Sequence, residues 1–148
     1  MFRGASTVSM DAKGRLAVPA RYRDMLLAQG AGKVVVTADP TGCLLLYPFP
    51  DWAPIEQRLN ALSSFNPQTR RIQRLLVGYA HDLDLDASGR LLLPPMLREY
   101  AALDKNVVVV GQGQKMELWS EAGWRAQVDE ARAVDGAAMP AELDGFSL

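Results

Sequence analysis

The sequence predicts an α+β fold: a closed, pseudo-two-fold β-barrel assembled from two internal repeats, with added helices. Three observations lead there. The segment Asp11-Ala12-Lys13-Gly14-Arg15-Leu16-Ala17-Val18-Pro19 returns 75 residues later as Asp86-Ala87-Ser88-Gly89-Arg90-Leu91-Leu92-Leu93-Pro94. Val34-Val35-Val36 returns as Val107-Val108-Val109, and Tyr47 followed by Trp52 returns as Trp119 followed by Trp124, all in the same order. A unit of about 45 residues is too small to bury its strands on both faces, so two units should join and close their free edges.

Each element has a local reason. Thr7-Val8-Ser9-Met10 and Leu83-Asp84-Leu85 alternate in polarity, and each run meets a turn with Asp at its start and Gly just before the return strand, the pattern of a β-hairpin. Asp accepts backbone N–H groups inside such a turn, and Gly supplies a positive φ. Pro19 and Pro94 end the return strands and open short helices near 19–29 and 94–102. Strands are predicted at 33–38 and 43–47 around Pro40-Thr41-Gly42, and again at 106–110 and 115–119 around Gly111-Gln112-Gly113.

Residues 53–79 read as two helices, with a proline start at Pro54 and a break at Asn66-Pro67. A last helix is predicted near 120–133, and residues 134–148 read as a loosely ordered tail. The chain is therefore one domain, 1–148, comprising a first repeat at 5–52, a helical insert at 53–79, a second repeat at 80–124 and a C-terminal helix and tail at 125–148. The helices outside the repeated unit are free to make contacts between subunits.

The 148 residues are 49% apolar and 22% charged, the profile of an ordinary globular protein. No apolar run approaches the roughly 20 residues of a membrane-spanning helix, and the N-terminus lacks a secretory signal core, so no membrane partner and a cytoplasmic location are expected. The lone Cys43 can form no intrachain disulfide. The formal net charge of −1 hides a segregation: residues 1–24 carry five bases against two acids, residues 53–80 four against one, and residues 81–148 six against twelve.

Several chemistries lack their residues. His81 is the only histidine and no Gly-x-Ser-x-Gly elbow exists, which argues against a serine triad and an enzyme. Cys43 lies in Gly42-Cys43-Leu44-Leu45-Leu46, where a buried hydrophobe is the ordinary reading. No zinc spacing, phosphate loop or dinucleotide fingerprint is present, so no cofactor or metal is expected. Asp82-Leu83-Asp84-Leu85-Asp86 has its glycine and closing acid out of place for a calcium loop and reads as strand alternation.

The two loops carry what remains. Asp11 with Arg15, and Asp86 with Arg90, can each form a carboxylate–guanidinium pair, and Gly14 and Gly89 shape the turns. For Asp86 and Arg90 a structural ion pair is the simpler reading, since Ser88 replaces Lys13 in an acidic half of the chain. The first loop differs. Lys13 and Arg15 flank Gly14, with Arg3 nearby in sequence, and these are residue types that contact guanine and phosphate from a hairpin tip in a major groove. A structural pair and a DNA contact both remain open from these residues alone.

Met1-Phe2-Arg3-Gly4, the two Asp-x-x-x-Arg motifs, Leu44-Leu45-Leu46-Tyr47-Pro48, Arg70-Arg71-x-Gln73-Arg74-Leu75-Leu76 and Glu117-Leu118-Trp119 resemble the MraZ family of bacterial transcriptional regulators along the full length. That resemblance implies an AbrB-like swapped-hairpin barrel with both half-units in one chain. It implies a ring-shaped homo-oligomer, nucleoid-associated, that represses through short direct repeats of double-stranded DNA in the promoter of the division and cell wall gene cluster. By position it implies Arg3, Lys13 and Arg15 as DNA contacts, and it leaves Asp11, Gly14, Asp86, Gly89 and Arg90 as the structural motif.

Overall fold

The computed structural model describes residues 1–134 and 139–147. In chain order the elements are β1 (Phe2–Ser9), β2 (Arg15–Ala17), α1 (Ala20–Gly30), β3 (Lys33–Ala38), β4 (Leu44–Pro48), α2 (Phe49–Asn60), α3 (Pro67–Leu76), β5 (His81–Asp84), β6 (Arg90–Leu92), α4 (Pro95–Tyr100), β7 (Asn106–Gly113), β8 (Met116–Ser120) and α5 (Glu121–Arg132). A single 3-10 turn, Ala141–Leu143, follows. The expected tail of 134–148 falls partly on 135–138 and 148, outside the described residues.

The protein is α+β, and its strands pair antiparallel in a six-stranded sheet of order β1-β7-β8-β4-β3-β5 and a two-stranded sheet, β2-β6. The repeats exchange partners. β1 of the first repeat pairs with β7 of the second from Phe2↔Gly113 to Ser9↔Asn106, while β5 of the second pairs with β3 of the first from Lys33↔Asp84 to Val36↔His81. Leu16 lies opposite Leu91, its own counterpart in the other repeat, and Leu45 on β4 lies opposite Glu117, its counterpart on the equivalent strand β8. A pseudo-two-fold axis therefore passes through both pairs. The loop hydrogen bonds obey it: Val18 N donates to Gly89 O at 3.0 Å, and Leu93 N donates to Gly14 O at 2.9 Å.

Three expectations change. The segment after β1 turns back as predicted, but β1 and β2 meet only at the Met10↔Leu16 bridge, and β2 spends its ladder on β6. The strands do not close by hydrogen bonding, since β1 and β5 are the edges of the larger sheet among the described residues. The predicted turn at Gly111-Gln112-Gly113 is instead strand, because β1 runs along β7 to its end and satisfies that backbone. A Cβ on Gly111 would lie 2.3 Å from Arg3 N, so the close approach of β1 requires glycine there.

The repeat also reaches further than its strands suggest. α2 starts at Phe49, not Pro54, and holds Pro54 inside the helix, where the missing N–H faces the Pro50 carbonyl. α2 and α5 each have 12 residues and each follow directly on the equivalent strand, so they are counterparts. Their aromatic pairs repeat as well: Tyr47 and Trp52 have ring centroids 5.5 Å apart, and Trp119 and Trp124 6.4 Å. α3 begins at Pro67 as predicted, with the Asn66 side chain accepting from Gln68 N at 2.9 Å.

The larger sheet is covered on both faces, which is why its inner strands read as continuous apolar runs. Val34, Val36, Leu44, Leu46, Val107, Val109 and Leu118 face one core together with Leu16, Leu91, Tyr22 and Leu97. Val35, Leu45, Tyr47, Val108, Val110 and Trp119 face a second core with Trp52, Leu59, Leu76 and Trp124. Leu91, fully buried at the pseudo-two-fold axis, belongs to the first. Leu91→Ala is expected to cost about 2–5 kcal/mol through lost burial and the cavity left behind, read as a lower midpoint in urea unfolding.

Candidate functional site

The two Asp-x-x-x-Arg loops share one backbone design. In the first, Asp11 Oδ1 accepts from Lys13 N at 3.0 Å and Arg15 N at 2.9 Å, and Gly14 N donates to Asp11 O at 3.0 Å. In the second, Asp86 Oδ1 accepts from Ser88 N at 2.8 Å and Arg90 N at 2.9 Å, with Gly89 N donating to Asp86 O at 3.0 Å. Gly14 and Gly89 take φ of +92° and +77°. These are turns that aspartate organises and glycine permits.

Exchange of strands sets the loops side by side. Arg15 Nε donates to Asp11 Oδ2 at 2.6 Å, Arg90 Nε lies 3.6 Å from Asp86 Oδ2, and Arg90 Nη1 lies 3.9 Å from Asp11 Oδ2. The first pair is tight. Arg90 instead spans both loops. Lys13 is exposed and, among the described residues, has no carboxylate within ion-pair distance. The structure thus brings Asp11, Lys13, Gly14, Arg15, Asp86, Gly89 and Arg90 together.

Arg3 is not among them. It lies on β1 opposite Gln112, six residues before the strand ends at Ser9, so the strand rise puts it about 20 Å from the loop. Its surroundings are the first turn of α1: Tyr22 Oη donates to Arg3 O at 2.5 Å and Gly4 O at 2.9 Å, and Arg21 Nη2 donates to Ser6 Oγ at 2.6 Å.

Two arginines that the loop motifs did not single out support these loops from the opposite repeat. A Cβ on Gly14 would lie 2.7 Å from Arg98 Nε, and one on Gly89 would lie 2.3 Å from Arg23 Cδ. Arg98 Nε donates to Leu93 O at 3.0 Å, whereas buried Arg23 Nε finds no acceptor among the described residues. A signal existed in the repeat itself, since Pro19-x-x-x-Arg23 returns as Pro94-x-x-x-Arg98. Only the fold places each arginine under the other repeat's glycine.

The remaining reactive groups are occupied elsewhere. Cys43 is fully buried, and burial, reinforced by Glu117 and Asp39, pushes its thiol up to about 12. His81 Nδ1 lies 2.6 Å from Tyr79 O. Asp82 and Asp84 are exposed on β5 while Leu83 turns inward, so this acidic stretch is strand.

The loop carboxylates are held below their ordinary value of 3.8. For Asp11 the Arg15 backbone N–H is the main cause, followed by the Arg15 guanidinium; together with Lys13 N they outweigh partial desolvation. For Asp86 the Arg90 backbone N–H leads, with Ser88 N and the Arg90 charge adding. Because the folded values are depressed, this stabilisation is complete above 3.8 and is lost as pH falls through the folded values. An Asp11→Asn, Asp86→Asn variant should be less stable than the parent near neutrality, and the two should converge in acid. A pH-independent gap in thermal melts would remove carboxylate charge as the cause.

The geometry can be set beside known proteins. The family described as "MraZ protein, putative antitoxin-like" matches residues 1–75 and again 76–146, so each match takes in a full strand-and-helix unit. A protein of Thiobacillus denitrificans is 66% identical over 148 residues, one of Nitrosospira multiformis 60% over 149, and one of Methylobacillus flagellatus 55% over 148, with both chains covered completely in each case. All three bear the name transcriptional regulator MraZ. The chain belongs to the MraZ family.

Proposed function

We propose that this chain is a sequence-specific DNA-binding transcriptional regulator, a repressor, that reads short direct repeats in the promoter of the division and cell wall gene cluster. The first loop enters the major groove: Lys13 contacts phosphate, and Arg15, held in one orientation by Asp11, contacts a base edge. The carrying observation is the difference between two loops of equal backbone, of which only the first presents an exposed lysine at its tip. Arg3, at the far end of β1, serves as a separate contact outside the groove-reading tip.

One loop with so few bases binds weakly. Several loops carried side by side on a ring-shaped homo-oligomer and presented to repeated sites gain effective concentration, which reconciles DNA binding with a net charge of −1. The segment between α2 and α3 offers apolar surface for such an assembly: Phe65 is 95% exposed and Leu62 51%. The partner exchange of β1 and β5 supports assigning the fold to the AbrB-like swapped-hairpin class, as a variant whose strands do not close by hydrogen bonds. Nucleoid association follows from the same reading.

The test is a salt titration of binding to a duplex carrying the promoter repeats and to a scrambled duplex, with oligomer mass recorded in parallel. Arg15→Ala is expected to lower repeat-specific affinity at least about tenfold while leaving the ring intact, and Lys13→Ala to weaken binding to both duplexes. Unchanged affinity in both variants removes the loop from the mechanism, and an intact ring that prefers neither duplex makes the chain an interaction scaffold. Arg90→Ala is expected to weaken folding or assembly, and a stable, full-size ring from that variant overturns its structural role.

A further inference from the structure

The cations around the first loop differ in how far their charge is already spent. Arg15 is tied to Asp11, and Arg90 lies between Asp86 and Asp11. Among the described residues Arg98 has no carboxylate within ion-pair distance, although Glu99 and Asp104 border the same surface depression. Its Nε is committed to Leu93 O at 3.0 Å, and Leu93 N in turn donates to Gly14 O at 2.9 Å, so the guanidinium is fixed against the loop backbone. Its Nη1 and Nη2 have no protein acceptor among the described residues. A cation with uncommitted donors, held beside a glycine that lets backbone approach closely, is arranged for an anionic oxygen.

We propose that Arg98, supplied by α4 of the second repeat, is a further DNA contact of the first loop, donating from its outer nitrogens to a backbone phosphate next to the one that Lys13 meets. This rests on the reading of the first loop as the DNA-binding loop. The guanidinium is ordered before DNA arrives, so little rotamer entropy remains to be lost on binding. The second loop does not reproduce the arrangement: Ser88 stands in place of Lys13, and among the described residues Arg23 Nε has no acceptor of the kind that anchors Arg98. One repeat therefore lends its charge to the other repeat's recognition loop.

Arg98→Gln separates contact from support. Glutamine Nε2 occupies the place of arginine Nε along the side chain, so it can keep the bond to Leu93 O while charge and outer donors are lost. The variant should melt like the parent, bind the repeat duplex roughly three- to tenfold more weakly at low salt, and show a salt slope shallower by about one. Arg98→Lys should restore most of that slope. Parental affinity and slope in Arg98→Gln would overturn the contact and leave Arg98 a positioning residue, as would equal losses in both variants with the slope unchanged. Lys13→Ala and Arg15→Ala run alongside: full affinity in both would overturn the loop reading itself, whereas losses there with none in Arg98→Gln would overturn the Arg98 contact alone.

Discussion

Everything in this molecule depends on strands finding their partners in the other repeat. β1 has no ladder of its own with β2, and β5 has none with β6; each is completed by the third strand of the opposite copy. The cost of an unpaired backbone makes this arrangement binding on both halves. Once β1 lies along β7 and β5 along β3, β2 and β6 are left to each other, and Leu16 must meet Leu91. The two Asp-x-x-x-Arg loops then lie next to one another, although 75 residues separate them in the chain. Their proximity is a consequence of pairing, and the charges at Asp11 and Arg90 only add to it.

On this frame two loops of one design have acquired different chemistry. Aspartate oxygens, two backbone N–H groups and a positive-φ glycine produce the same turn twice, so the geometry is independent of the residue at its tip. That position is lysine in one copy and serine in the other. The supporting helices have diverged too, α1 having 11 residues and α4 six. Backbone hydrogen bonding preserves the scaffold while exposed side chains are released from it, which is why function has to be sought in differences between the repeats.

The outer face of the larger sheet is covered less evenly. α2 and α5 are equivalent and each brings a Trp onto an aromatic residue of the preceding strand. α3 adds Leu76 over the first half, where Thr37 Oγ1 donates to the Leu76 carbonyl at 2.6 Å. Over the second half a groove remains open between Trp119, Trp124 and Val128, with Asp39 and Glu117 at its border. The pseudo-symmetry is therefore strong near the axis, where backbone pairing imposes it, and weak at the periphery, where only side-chain packing does.

Much is legible in the sequence alone. The repeated segment predicted two copies, the apolar runs predicted β3, β4, β7 and β8, Asn66-Pro67 predicted the start of α3, and the paired Asp and Arg predicted organised turns. These features are local: a turn, a cap or an alternating strand is specified by residues within hydrogen-bond reach of one another. The sequence could not say which strand each strand would join, since a period of two marks a strand without marking its neighbour. Local alternation therefore reads as a hairpin within each repeat where the strands exchange partners, nearness in sequence groups Arg3 with a loop from which β1 separates it by about 20 Å, and neither signal points to Arg98, which reaches Gly14 only across the two repeats. Local hydrogen bonding and polarity determined the elements and the shape of the loops; long-range pairing across the pseudo-two-fold axis decided which charges stand together.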